Sequence, residues 1–136
     1  MERIFSRVQP DALLHGIIRA ADFTHHRQDI SPAEEGLQLA FFRMCKGQTF
    51  RPHMHVPRRR EIPITQECWI IARGSVLASY YDLNGVLLEQ RILLPGDATI
   101  TWRGGHTYEG LEHDACIFEV KTGPFVGVAQ DKEYLD

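Results

Sequence analysis

This sequence of 136 residues has few cysteines and no long apolar run. Its three cysteines, Cys45, Cys68 and Cys116, are odd in number, far apart and not arranged as Cys-x-x-Cys. That pattern indicates free thiols in a reducing compartment, with a cysteine-bound metal as the less favoured alternative. No stretch approaches the roughly 18–20 apolar residues that a membrane-spanning helix needs, and no signal peptide is recognised. These absences predict a cytoplasmic protein without a membrane partner.

The chain also lacks an excess of positive charge. Lysine and arginine total 15 against 18 aspartate and glutamate residues, which gives a net charge of −3. Proteins that bind nucleic acids usually present a basic face, so nucleic acid is not expected as a partner. The length suits a single domain with its own apolar core, which we divide into residues 1–35 and residues 36–136.

Residues 1–35 are predicted to form a short helix and an extended arm that pack on the rest of the chain. The helix would run from Pro10 to Ala21, because proline suits the first helical turn and Asp11 complements the helix dipole. Apolar residues recur in this stretch at helical spacing, namely Leu13, Leu14, Ile17 and Ile18.

From Leu37 onward the pattern predicts strands that are separated by glycine and proline turns. Asn84-Gly85 favours a two-residue hairpin turn that pairs Tyr81 with Leu88. Many short strands of this kind are typical of an all-β sandwich or barrel. The main predicted strands are Leu37–Met44, Thr49–Val56, Thr65–Ala72, Ser75–Asp82, Ala98–Trp102, His106–Glu109 and Ala115–Lys121.

A histidine pair, His53 and His55, is the first candidate for a binding site. Side chains two residues apart on a strand share a face about 7 Å apart, so both imidazoles could bind one metal ion. Glu67 in the next predicted strand and His106 after a glycine pair would add a carboxylate and a third imidazole. Such ligands suit iron, manganese, nickel, zinc or copper without choosing among them. The alternatives are surface histidines and an ion pair between Glu67 and an arginine.

Glycines around these residues complete a characteristic spacing. Five residues separate Gly47 from His53, and six separate Glu67 from Gly74. This spacing resembles the first motif of the cupin superfamily. The departure is the gap between His55 and Glu67, which holds eleven residues where the family has a shorter one.

Later in the chain, a second stretch matches the cupin superfamily less completely. Gly96 and Gly104 fit the second cupin motif, with Trp102 in place of its proline and His106 one residue early. The resemblance covers about residues 37–122. It implies an RmlC-like cupin jelly-roll β-barrel that binds a divalent transition metal through the three histidines and the glutamate named above.

Two further stretches resemble the WbuC-like cupin metalloproteins, which often occur with polysaccharide-biosynthesis genes. They are residues 47–55 and residues 118–125. By analogy alone, this resemblance implies carbohydrate chemistry, and it defines no reaction. The insert at residues 56–66 departs from that family's pattern.

Neighbours of the proposed ligands are candidates for binding a substrate. Arg51 shares the predicted strand face of the histidine pair, and Trp69 shares that of Glu67. Tyr108 shares the face of His106, where it could donate a hydrogen bond or act as an acid. Plain barrel core is the alternative interpretation of the aromatic residues, and an internal carboxylate is the alternative partner of Arg51.

The insert at residues 56–66 is predicted to form a cationic lid over the metal. Arg58 and Arg59 would then recruit an anionic ligand through their forked donors. Glu61, in the same insert, is the competitor of Glu67 as a ligand and a second candidate proton carrier. The alternative is a charged run that is simply solvated.

Together these features predict a metal-binding protein that acts on a small polar molecule, anionic or carbohydrate-like. It would be an isomerase, epimerase or oxygenase that uses the metal as a Lewis acid, or a non-catalytic binding or sensing module. A second titratable group within reach of the metal would distinguish the two. A homodimer is expected, because residues 37–44 are apolar on both faces, as in a strand buried on both sides.

Overall fold

The computed structural model describes residues 1–24 and 26–135; His25 and Asp136, which belong to the two predicted units, lie outside the described residues. Within this part the chain forms ten strands, a 3-10 turn (Ala20–Asp22) and one short helix, α1 (Val128–Asp131). No helix among these residues is long and apolar enough to cross a membrane. The strands are β1 (Glu2–Phe5), β2 (Leu13–Ile18), β3 (Arg27–Asp29), β4 (Ala40–Phe42), β5 (Glu67–Arg73), β6 (Val76–Tyr81), β7 (Leu87–Leu93), β8 (Ala98–Thr101), β9 (Gly105–Gly110) and β10 (Cys116–Lys121).

All strand pairs are antiparallel, and they form three sheets. The largest sheet has the order β1-β2-β8-β5-β10, the second has the order β7-β6-β9, and β3 pairs with β4. The predicted all-β class is therefore confirmed. Five of the strands expected between residues 65 and 121 appear within one or two residues of their predicted bounds.

The five-stranded and three-stranded sheets pack face to face around the main core. Burial of each large apolar side chain in this core stabilises the folded state by about 1.5–3 kcal/mol. Because β5 and β9 belong to different sheets, their inward-facing side chains meet between the two sheets. The core residues are Ile4, Leu14, Ile17, Ile71, Val76, Ala78, Tyr80, Leu88 and Leu93.

The predicted N-terminal helix is wrong, because its residues form β2 in the centre of the large sheet. Residues 14–18 are all buried, as expected for a strand covered on both faces. Gly16 and the two isoleucines that follow it favour a strand over a helix. A Cβ on Gly16 would lie 3.0 Å from the Trp102 ring, so the side chain of Trp102 packs directly over the glycine. Residues 2–18 thus supply two strands of the main sheet, whereas β3 belongs to the separate pair with β4.

The predicted strand Thr49–Val56 is also wrong. No strand occurs between residues 43 and 66, and residues 42–61 are all exposed. Pro52 and Pro57 each remove a backbone donor, and no neighbouring strand covers the stretch. Of the strand predicted at residues 37–44, only β4 forms.

The hairpin predicted at Asn84-Gly85 is confirmed, with a change of register near the turn. Leu77 pairs with Ile92 and Tyr80 with Glu89, in the predicted register. A bulge then shifts the pairing, so that Tyr81 lies opposite Leu87 and not opposite Leu88. The turn is closed by a hydrogen bond from the Asp82 amide to the Val86 carbonyl, 2.9 Å long.

Candidate functional site

Glu67 and His106 form a hydrogen bond that joins the two main sheets. Glu67 begins β5, where it lies opposite Thr101 of β8 and Lys121 of β10. His106 lies on β9 opposite Tyr80. Its Nε2 is 2.8 Å from Glu67 Oε2, and the Glu67 side chain is only 5% exposed. The His106 side chain is 20% exposed, so the bond joins a buried carboxylate to a partly exposed ring between the sheets.

The charge of this pair follows from its contacts. The hydrogen bond from His106 lowers the pKa of the Glu67 carboxyl, against the opposing effect of burial, and the nearby Lys132 and Lys121 lower the pKa further. Glu67 is consequently a carboxylate that can only accept hydrogen bonds. His106 must donate through Nε2–H, and whenever the ring is neutral its Nδ1 is then a lone pair.

Two aromatic residues continue the site along the same faces. Trp69 and Tyr108 stack with ring centroids 3.9 Å apart, and the His106 and Tyr108 centroids are 5.3 Å apart. Three buried polar atoms here have no hydrogen-bond partner among the described residues: Trp69 Nε1, His106 Nδ1 and the Tyr108 hydroxyl. Each unpaired buried group costs about 1–3 kcal/mol, and such groups in native proteins usually meet water or a ligand. The cluster is therefore suited to receiving a polar molecule.

Burial changes the acid strength of Tyr108. It raises the pKa of the hydroxyl well above its ordinary value. The group stays protonated near neutral pH and remains a hydrogen-bond or proton donor.

A second buried histidine supports the floor of the site and was missed by the sequence reasoning. His15 on β2 is fully buried, with Nδ1 2.9 Å from Thr101 Oγ1 and Nε2 3.3 Å from the Tyr81 carbonyl oxygen. The carbonyl can only accept, so Nε2 carries the proton and Nδ1 accepts from the threonine hydroxyl. Burial lowers the pKa of His15 to about 4, so the ring is neutral at pH 7. The alternation of His15 with Ile17 would have revealed this role only if the segment had been interpreted as a strand.

The histidine pair of the sequence motif lies elsewhere. His53 and His55 are exposed, with ring centroids 5.4 Å apart, and Arg51 beside them is exposed as well. His53 Nδ1 donates to the Arg51 carbonyl oxygen at 2.9 Å. The shared strand face that would have aimed the three side chains into the barrel does not form.

The predicted lid is also placed differently. Arg58 and Arg59 are exposed, and Arg59 forms an ion pair with Glu61 at 2.7 Å. Glu61 and the adjacent Arg60 line an open cavity of about 600 Å³ together with Gln66. Gln66 bonds the Glu35 carboxylate and the Leu37 amide, whereas Glu67 bonds His106, so the cavity that the insert lines does not include the Glu67–His106 pair.

The structure brings together two of the four predicted metal ligands. Glu67 and His106 are bonded to each other, and no group of three or more histidine, cysteine, aspartate or glutamate side chains is placed to hold a metal within residues 1–24 and 26–135. Two donors bonded to each other are fewer than the three or four protein ligands that a zinc site uses. The four-ligand site and the identity of its metal stay predictions.

The four glycines of the two motifs share a backbone feature. All have positive φ, and Gly74, at +73°, turns the chain from β5 into β6 with Ala115 packed against it. A Cβ on Gly74 would lie 2.9 Å from Ala115 Cα, so the turn needs glycine for space as well as for conformation. The others are Gly47, Gly96 and Gly104.

Comparison of the chain with protein-family models, with curated proteins and with solved structures gives no match.

Proposed function

We propose that the protein catalyses proton transfer on a small polar molecule bound between the two sheets. His106 is the base, Glu67 orients it, and Tyr108 is the acid. The observation that carries the proposal is the group of unpaired buried polar atoms beside the hydrogen bond between Glu67 and His106. A base whose second nitrogen is fixed by a carboxylate is a recurrent arrangement in enzymes.

The roles follow from the hydrogen-bond geometry. Glu67 holds the Nε2–H of His106, so the Nδ1 lone pair accepts a proton from a substrate C–H or O–H bond. The resulting imidazolium is stabilised by the carboxylate at 2.8 Å. Tyr108 donates its hydroxyl proton to the oxygen on which negative charge develops. Each such acid or base contributes about 10²–10⁴-fold to a rate.

The donors around the site define the class of substrate. Trp69 Nε1–H lacks an acceptor among the described residues, and the Tyr108 hydroxyl lies near the Thr101 hydroxyl without a full hydrogen bond. A substrate with hydroxyl, carbonyl or carboxylate oxygens would satisfy them, and a C–H bond next to a carbonyl would give His106 an acidic proton. Hydroxy acids, keto acids and sugars fit this description. Isomerisation is the reaction class that needs only these groups. His106 takes the proton from one carbon and returns it to the next, and Tyr108 protonates the carbonyl oxygen and recovers a proton from the adjacent hydroxyl.

Solvent-exchange spectroscopy with a panel of candidate substrates tests the proposal. Hydroxy acids, keto acids, aldoses and ketoses are screened for binding by ligand-observed NMR. Each ligand is then followed in D₂O for replacement of C–H by C–D. We expect exchange with wild-type protein and a loss of about 10²-fold or more in His106→Gln. His113→Gln, which changes an exposed histidine, should behave like wild type.

The outcomes separate the candidate functions. Exchange that persists in His106→Gln would contradict the assigned base. Binding without exchange would favour the non-catalytic binding or sensing module. If no member of the panel binds, the proposed substrate class is wrong.

The cupin jelly-roll is part of the same proposal. It is supported by two antiparallel sheets that face each other and by the meeting of one residue from each motif, Glu67 and His106. Positive φ at the motif glycines supports it as well.

A metal centre of His53, His55, Glu67 and His106 is the second candidate. Among the described residues, β9 pairs only with β6, so its other edge is free, and the stretch that carries His53 and His55 pairs with no strand. Pairing of this stretch with β9 would bring the two histidines close to His106. Elemental analysis of protein purified without chelators should find one metal ion per chain, with near-complete loss in His53→Ala/His55→Ala. Full retention in the variant would contradict this ligand set.

A further inference from the structure

Residues near the C-terminus contact both strand ends that carry the Glu67–His106 pair. We define residues 131–135 as the C-terminal strap; it begins in the last residue of α1. Its contacts reach both sheets, and each of them lies beside a residue of the site.

The first two contacts are polar. The Asp131 carboxylate accepts a hydrogen bond from the Thr65 hydroxyl, two residues before Glu67. The next residue, Lys132, places its ammonium nitrogen 4.0 Å from Glu67 Oε1, the oxygen that His106 does not use. The strap thus lies against the carboxylate itself.

The third contact is apolar and lies on the other sheet. A Cβ on Gly105 would lie 2.6 Å from Leu135 Cδ1, so Leu135 packs on the bare backbone that precedes His106. The same side chain also reaches Gly85, where a Cβ would lie 3.3 Å from Leu135 Cδ2. The strap therefore spans from the start of β5 to the start of β9, which are the two strand ends that carry the pair.

The strap is held weakly. Lys132 is 43% exposed, Leu135 is 47% exposed and Tyr134 between them is 79% exposed. Ion pairs this exposed contribute little, and α1 buries none of its residues. Gly127 precedes α1 with φ of +105°, and apart from its chain neighbours no atom lies within 4 Å of its Cβ position, so no packed neighbour restricts this glycine. Weakly held segments of this kind open before the rest of a fold does.

We propose that the C-terminal strap is a lid over the Glu67–His106 site and moves aside when a ligand enters. The inference depends on the proposed function in so far as the ligand binds at this pair. It adds a requirement on the ligand. The group that replaces Lys132 at Glu67 Oε1 must donate a hydrogen bond or carry positive charge, so the ligand bears a hydroxyl or amino group beside the acceptors that Trp69 and Tyr108 need.

Chemical modification of histidines in the 136-residue chain tests the lid without any ligand. Diethyl pyrocarbonate acylates accessible imidazole nitrogens, and peptide mass spectrometry reports the rate at each histidine. His113 is exposed and serves as the reference for a fully accessible ring, whereas His15 is buried and reports general loosening. The test variant is Lys132→Ala/Leu135→Ala. The matched control is Tyr134→Ala, which changes an exposed strap residue.

The expected result is selective. Relative to His113, the rate at His106 should rise about tenfold in the double variant, which corresponds to about 1.4 kcal/mol in the opening equilibrium. It should be unchanged in Tyr134→Ala, and His15 should stay unreactive in both variants. If the double variant does not fold, Leu135→Ala alone should give a smaller rise of the same kind.

Two results would overturn the lid. One is an unchanged His106 rate in the folded variant. The other is a parallel rise at His106 and His15, which would show general loosening and not the opening of a lid. Because no ligand is present, neither result bears on the proton-transfer chemistry, which is tested separately by C–H exchange.

Discussion

Acidification should destabilise this protein over a pH range that is set by one buried histidine. Burial lowers the pKa of His15 from 6.5 to about 4. As the pH falls, the unfolded chain takes up a proton on this ring near pH 6.5, whereas the folded chain takes it up only near pH 4. Stability that is fully present above the unfolded value is therefore lost progressively between these two values.

The size of the effect follows from the shift. The difference of 6.5 minus about 4 is about 2.5 pH units, and at about 1.36 kcal/mol per unit it corresponds to roughly 3 kcal/mol. By pH 5 roughly 2 kcal/mol of this should be lost. Carboxylates with lowered pKa values, such as Asp82 and Glu2, lose their stabilisation only below their unfolded values of 3.8 and 4.5. The range from pH 5 to 6.5 thus lies above the unfolded pKa values of these carboxylates.

Urea unfolding between pH 7.5 and 5 measures this loss from the change in midpoint at constant slope. His15→Gln keeps an N–H donor for the Tyr81 carbonyl and removes the titration, so its stability should vary far less over the same range. His113→Gln, at an exposed position, should keep the wild-type pH dependence. A His15→Gln variant that retains the full wild-type dependence would refute the reasoning.

Three shorter predictions concern packing, thiols and assembly. Gly16→Ala should lower the unfolding free energy by about 1–3 kcal/mol in a denaturation assay, because the new methyl group would lie 3.0 Å from Trp102. Gly110→Ala, whose methyl group would lie 3.6 Å from its nearest neighbour, should lower the unfolding free energy less. Ellman's reagent should label Cys45 and Cys116 quickly in the native protein and Cys68 only after unfolding. Cys68 is buried, and burial raises the pKa of its thiol to about 11. Rapid labelling of all three cysteines would contradict this packing. Sedimentation at micromolar concentration should show the expected homodimer, and a species of 15.6 kDa alone would count against it.

The sequence predicts the second half of the fold better than the first. The strands from β5 to β10 follow alternation and turn signals that local chemistry decides, and Asn84-Gly85 is the plainest of these signals. Residues 13–18 fit a helical stripe and a strand buried on both faces equally well. Only their pairing with β1 and β8, which is a tertiary effect, decides between the two.

The site can be predicted only in part for a similar reason. The prediction that Glu67 and His106 lie in one site agrees with their hydrogen bond, because each residue lies on a predicted strand that forms. His53 and His55 are expected on a strand whose alternation is clear but which has no partner in the described structure. His15, Thr101 and Lys132 reach the site through register and chain packing, and no local pattern carries that information.

The central claim is that His106 is a base held by Glu67, with Nδ1 free to accept a proton. Long-range ¹H–¹⁵N spectroscopy of the histidine rings, in chelator-treated protein at pH 8, shows directly which ring nitrogen carries the proton. The account predicts that neutral His106 carries its proton on Nε2 and a lone pair on Nδ1, and that Glu67→Gln loosens this preference. A neutral His106 protonated on Nδ1, or a tautomer mixture unchanged by Glu67→Gln, would contradict it.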